Sequence, residues 1–237
     1  MTPPGAGRRF LVRLGLISLA LGIWFWTQSL IGARACPSGA VSDAVLEWLE
    51  PVHRCLAAHE GWANSLLIVS SAGIDIVGIF LLGSALLGPS LRPFIALIVL
   101  FGLRQICQAT VALPAPEGMI WRHPGFPSLL VTYGVATDLF FSGHTGLAVL
   151  GALELCRRSG RGWRWLGLSL ALFEALTVLV LRAHYSMDVL AGALAAGWAH
   201  GVAVKAAPSV DRWTGGQVLG AAGGPPPGHE APLGPGG

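Results

Sequence analysis

Charge is what this sequence most conspicuously lacks. Asp, Glu, Lys and Arg make up 11% of its 237 residues, where a soluble domain carries nearer a quarter. With 53% hydrophobic residues and a mean hydropathy of +0.64, the composition excludes an ordinary water-soluble domain and points to a bilayer as the solvent. A net charge of +3 is too small to argue for nucleic acid as a partner. The four cysteines are scattered, with no CxxC pair, and no clustered metal-ligand motif occurs. Cys36 and Cys55 flank one expected loop, so they form either a disulfide, if that loop is extracytoplasmic, or two free thiols.

What is present is a series of apolar runs. A hydrocarbon core of about 30 Å needs roughly 20 helical residues, and six windows meet this: 10–31, 62–87, 91–113, 138–155, 163–182 and 185–207. Arg8, Arg9 and Arg13 precede the first, with Ala33 and Ala35 ahead of Cys36 resembling a cleavage site. The run is nevertheless long enough to span, so it is read as an uncleaved helix. The sequence therefore predicts an all-α bundle of six transmembrane helices over 1–207. Segment 32–61, with Asp43, Glu47, Glu50 and Glu60, suits a short amphipathic surface helix. From Pro208 onward the Gly- and Pro-rich stretch to 237 is expected to be a disordered tail.

Arginine placement sets an orientation, because cytoplasmic loops accumulate Lys and Arg. With the N-terminus inside, ten basic residues fall in cytoplasmic segments, including the dense run Arg157, Arg158, Arg161 and Arg164. Five fall on the other side: Arg34, Arg54, Arg104, Arg122 and Arg182. Both termini are thus expected in the cytoplasm. Loop 114–137 and the 182–185 turn then share the extracytoplasmic face.

Ionisable residues within or near membrane segments are costly and mark functional candidates. His184 and Asp188 are four apart and share a helix face, where a carboxylate can orient an imidazole as nucleophile or base; a satisfied polar pair at a helix end is the bland alternative. His144 follows Ser142 and Gly143 at the start of an apolar run, where a capped N-terminus offers N–H groups to an anion. An interfacial histidine on an ordinary helix start would look the same. Arg104 lies late in an apolar helix and can grip phosphate oxygens, or snorkel. Arg182 is a possible second cation. Asp75, Glu154 and Glu174 are expected to make interhelical hydrogen bonds. A non-enzymatic bundle, such as a transporter or a protein binding haem through His144 and His184, is the competing class.

Three ordered motifs carry a resemblance: LRQICQATVALPAP (103–116), DLFFSGHT (138–145) and HYSMDV (184–189). Together they resemble the sphingomyelin synthase branch of the type 2 phosphatidic acid phosphatase superfamily. Phe141 stands where the broader phosphatases have proline before SGH. Val178 occupies the position of their arginine six residues before the second histidine, and both departures favour that branch. The resemblance implies a metal-independent, cofactor-free phosphotransferase acting on membrane lipids at the extracytoplasmic face. His184 is then the nucleophile that forms a phospho-histidine, Asp188 orients it, and His144 shuttles the proton. Arg104, with Ser142 and Gly143 at the helix start, binds phosphate. The implied reaction moves a phosphoalcohol headgroup to a lipid hydroxyl such as ceramide or diacylglycerol; a lipid phosphatase or phospholipase C-type hydrolase is the alternative. High Ala, Gly, Leu and Arg usage suggests a GC-rich bacterium and hence its inner or plasma membrane. Trp121, Arg122, His123 and Tyr133 in loop 114–137 are candidates for substrate selection.

Overall fold

An apolar run in lipid must satisfy its own backbone N–H and C=O groups, and a helix does so within one segment. The computed structural model describes residues 6–33, 39, 41–133 and 138–214, and among them there are helices and no strand. In chain order the helices are α1 (Ala6–Gly32), α2 (Ala44–Trp48), α3 (Glu50–Ala58), α4 (Glu60–Leu87), α5 (Arg92–Thr110), α6 (Gly143–Cys156), α7 (Arg161–Val180) and α8 (Ser186–Trp213). Five of them, α1, α4, α5, α7 and α8, are long and apolar enough to cross a membrane, which makes this a helical, multi-pass membrane protein. α6 has 14 residues, about 21 Å at 1.5 Å per residue, and falls short of a full crossing.

The boundaries depart from the apolar windows for identifiable reasons. The fourth window opens at Asp138, but the helix starts only at Gly143, because Ser142 caps it by accepting from the Thr145 N–H at 3.3 Å. α5 stops at Thr110, ahead of Pro114 and Pro116, which cannot continue it. The surface helix expected within 32–61 is two helices, broken at Leu49, with Asp43 capping α2 and a proline at the start of α3. The boundary drawn at 207 is corrected: α8 runs through Pro208 to Trp213. Asp211 gives this extension a reason. It is buried, accepts from the Leu91 N–H at 2.7 Å and lies 3.7 Å from the Arg13 guanidinium. Arg13 also donates to the carbonyls of Ala85 (3.1 Å), Gly88 (2.6 Å) and Pro89 (3.3 Å), tying α1 and α8 to the α4–α5 turn. Residues 215–237 and Cys36, with its suggested pairing to Cys55, lie outside the described residues.

The core gathers Leu81 of α4, Leu100 of α5, Ala148 and Leu150 of α6, and Ala196 and Ala199 of α8. The small residues along α8 let its backbone approach its neighbours closely. α6 and α7 meet equally tightly: a Cβ on Gly167 would stand 2.8 Å from the Ala152 Cα and 3.2 Å from its carbonyl oxygen. Replacing a mid-helix glycine with alanine ordinarily helps a helix by about 0.5–1 kcal/mol. Here the backbone clash outweighs that gain. Gly167→Ala is expected to destabilise the protein by about 1–3 kcal/mol, read as a lower thermal midpoint in detergent.

The polar residues outside the core bear out interhelical bonding for two of the three acids. Glu154 of α6 takes a bidentate pair from Arg92 of α5, at 3.0 and 2.7 Å. Glu174 of α7 accepts from Ser70 of α4 at 2.6 Å. Asp75 of α4 instead holds a loop, accepting from the Leu129 and Leu130 N–H groups at 2.9 and 3.0 Å and from the Ser128 hydroxyl at 3.3 Å.

Candidate active site

His184 is set by the tight turn between α7 and α8. The Ala183 and His184 N–H groups both donate to the Val178 carbonyl, at 2.8 and 3.3 Å. Arg182 sits in the left-handed region with φ of +53°. Its guanidinium leaves the site, bonding to the Glu117 carbonyl at 2.7 Å and pairing with Glu50. The second cation suggested at Arg182 is therefore committed elsewhere. Asp43 secures the start of α8 by accepting from the Ser186 N–H at 2.6 Å. Burial pushes the Asp43 carboxyl up, but hydrogen bonds from Ser186, Leu46 and Val45 outweigh it and hold the group below the usual carboxylate range. Tyr185 joins the first and third motifs, donating its hydroxyl to the Pro114 carbonyl at 3.1 Å.

Asp188 is buried on the first turn of α8 and accepts from the Tyr185 N–H at 3.0 Å. Its Oδ2 lies 3.6 Å from His184 Nδ1, just beyond hydrogen-bond length. That places Nδ1 on the carboxylate side and leaves Nε2 as the nitrogen available for chemistry. Asp188 also fixes the second motif, since its backbone carbonyl accepts from the Ser142 N–H at 3.1 Å.

Motif 138–145 folds over Arg104. The guanidinium donates through Nε to the Phe141 carbonyl and through Nη2 to the Asp138 carbonyl, both at 2.9 Å, and Nη2 stands 3.5 Å from Asp138 Oδ2. Nη1 makes none of these bonds. A Cβ on Gly143 would lie 3.1 Å from Arg104 Nε and press on the guanidinium. Ser142 is fully buried and its hydroxyl accepts from the Thr145 N–H and hydroxyl, so it works as a helix cap and does not line the cavity.

Arg104, Gly143, His144 and His184 line one end of a cavity of about 500 Å³. The rest of its wall is mostly apolar, from Leu16, Ala20 and Trp24 of α1 to Phe94 and Phe101 of α5. His144 Nε2 and His184 Nδ1 at the polar end, and Asp188 Oδ1 beside His184, are buried without a hydrogen-bond partner. Unsatisfied buried polar atoms are costly and rare; His184 Nδ1 and the Asp188 carboxylate face each other, which leaves His144 Nε2, on a ring that lines the cavity, for a bound group to complete. Among the described residues no three His, Cys, Asp or Glu side chains are grouped to hold a metal.

Several contributors carry no clear mark in the sequence. Trp121 packs edge-on to the His144 ring at a centroid distance of 5.1 Å, which gives one of the loop candidates a definite place. Gln28 of α1 donates to Asp138 Oδ2 at 3.1 Å and accepts from Gln105 at 3.0 Å. Gln108 donates to the Asp138 carbonyl at 2.6 Å. A glutamine in an apolar helix is the one available signal. Which partner it meets depends on helices far apart in sequence. Arg122 and His123 are not among the cavity-lining residues.

The family model AtPDCT1/2 matches residues 43–205, well over half of the chain, so the chain belongs to that family. The match makes it a membrane protein related to lipid headgroup transferases. Neither a curated protein nor a solved structure matches the chain significantly.

Proposed function

We propose that this member of the AtPDCT1/2 family is a phospholipid headgroup transferase working through a phospho-histidine, with the six-pass arrangement of the type 2 phosphatidic acid phosphatase superfamily and the catalytic motifs of its sphingomyelin synthase branch. In this arrangement the 138–142 stretch and α6 together make the fourth pass. Both termini are cytoplasmic and the site opens near the extracytoplasmic face. The observation that carries the reading is the convergence of Arg104, His144 and His184 on the polar end of a mostly apolar cavity, which matches a lipid with an anionic phosphodiester.

His184 Nε2 attacks phosphorus while the bond from phosphorus to the donor's glycerol oxygen breaks. The departing oxygen takes a proton from His144. Asp188 holds the ring tautomer and offsets the charge on His184. The acceptor hydroxyl then passes its proton back to His144 and attacks phosphorus, breaking the P–N bond and restoring His184. Arg104 stabilises charge on the non-bridging oxygens at both steps. The family name denotes phosphatidylcholine:diacylglycerol cholinephosphotransferase, which favours phosphocholine as the group moved and diacylglycerol as acceptor over ceramide.

The test is a two-lipid exchange in nanodiscs, with choline-labelled phosphatidylcholine and an unlabelled diacylglycerol of distinguishable chains. Label is expected in the phosphatidylcholine built on the added diacylglycerol, and ceramide supplied in its place gives less product. Release of free phosphocholine without any acceptor would instead make the protein a hydrolase, and no movement of label with any donor would refute the proposal.

A further inference from the structure

The body of the cavity is as informative as its polar end. On α1 its lining runs from Leu16 to Thr27, and on α5 from Phe94 to Gln105. Each stretch covers eleven residue steps, about 16 Å at 1.5 Å per residue. The deep end is blind. Leu16, Leu82 and Phe94 pack there with Ile17, Ala85 and Leu91, and beneath them Arg13 is bonded to the Ala85 and Gly88 carbonyls. The side is open: Leu19, Ile23 and Ile98 line the cavity and are nevertheless 62%, 52% and 48% exposed. The seam between α1 and α5 thus faces the bilayer. Two small residues keep the channel wide. Gly102 has no neighbour within 4 Å of where a Cβ would stand, and Ala20 lines the deep half. The opposite wall comes from Leu130, which fills the notch at Gly78 and would meet a Cβ there at 2.1 Å.

We propose that this cavity is a blind hydrocarbon slot that receives an acyl chain of the lipid substrate sideways through the α1–α5 seam and selects it by length, with Ala20 and the Leu16–Phe94 floor as the determinants. The inference rests on the functional reading above, since the phosphate end at Arg104 positions the chain. The occupant follows from chemistry: at the mouth two histidines and Arg104, which also pairs with the Asp138 carboxylate at 3.5 Å, suit a phosphate, and a floor with no polar side chain suits only hydrocarbon. α1 is the critical wall, and its lining residues precede the stretch 43–205 that the family model matches.

Bulk placed at two depths tests the slot. Ala20 lies seven residues below Thr27, about 10 Å down the channel, whereas Gly102 lies two residues from Arg104, about 3 Å from the mouth. Full-length wild type, Ala20→Trp, Gly102→Leu and, as a lipid-facing control, Leu30→Trp (Leu30 is 54% exposed) would be equilibrated with mixed short-, medium- and long-chain phosphatidylcholines. Mass spectrometry then reads the lipids retained on the purified protein. Losing burial of two terminal methylenes at about 0.8 kcal/mol each shifts the short-to-long ratio by about tenfold. Ala20→Trp is expected to show that shift, Gly102→Leu to lose retention of all lengths, and Leu30→Trp to match wild type. A chain profile unchanged in Ala20→Trp, with an unchanged thermal transition, overturns the proposal. If the tryptophan variant does not fold, Ala20→Leu is expected to give a smaller shift in the same direction, and no shift overturns it. Because retention needs no turnover, length selection without transfer would refute the transferase reading and leave the slot standing, while transfer without length selection would do the reverse.

Discussion

His184→Ala is expected to reduce headgroup transfer by about 10⁴-fold or more, as loss of a covalent nucleophile does elsewhere. His184 is the ring on the cavity wall whose Nδ1 faces a buried carboxylate, at 3.6 Å from Asp188 Oδ2. Its backbone is held by the Val178 carbonyl, so truncating the side chain removes the imidazole and leaves the turn intact. Wild type quenched during turnover with donor labelled at phosphorus should yield an acid-labile labelled protein, and the variant should yield none. Asp188→Asn keeps the nucleophile and loses the orienting charge, so its expected loss is smaller, about 10³–10⁴-fold. A His184→Ala protein active within tenfold of wild type would remove the covalent mechanism from consideration.

Arg104→Ala is expected to cost about 10²–10³-fold in transfer, and Arg104→Lys to recover little of it. The guanidinium does two things at once: it binds the Phe141 and Asp138 carbonyls through Nε and Nη2, and it brings a positive charge to the cavity wall. An ammonium is a single point charge and cannot reproduce that fork. The Asp138 carboxylate would also be left with Gln28 as its partner, which loosens the stretch that delivers His144. The readout is kcat separated from KM with a soluble short-chain donor. A fall in kcat with KM little changed is the signature of an interaction made in the transition state. A change confined to KM would mean that Arg104 only recruits the lipid.

Much of this architecture is legible in the amino-acid sequence. The helices can be read because membrane segments announce themselves by length and apolarity, independently of what they pack against. His144, His184 and Asp188 are visible as polar residues out of place in lipid. Their neighbours are not visible. Nothing in the sequence links Gln28 of α1 to Asp138, 110 residues later, or places Trp121 on His144. The fourth apolar window misleads at its start, because hydropathy does not register that Ser142 caps a helix and that residues 138–141 wrap an arginine instead of joining it. Ser142 and Arg182 show the same limit from the other side. Both have the right chemistry for phosphate, and both are occupied by backbone or carboxylate partners.

The sequence by itself determined that the chain is a helical membrane protein and which residues are out of place in lipid, because the cost of burying backbone and charge in hydrocarbon acts on each segment alone. Only the tertiary structure decided that two histidines and an arginine from α6, the α7–α8 turn and α5 share one cavity end, with Asp188 of α8 buried against His184. It also decided that α1 walls off the long apolar remainder. Those outcomes depend on contacts between segments far apart in the chain, where close packing at Gly143, Gly167 and Ala199 sets which side chains can meet.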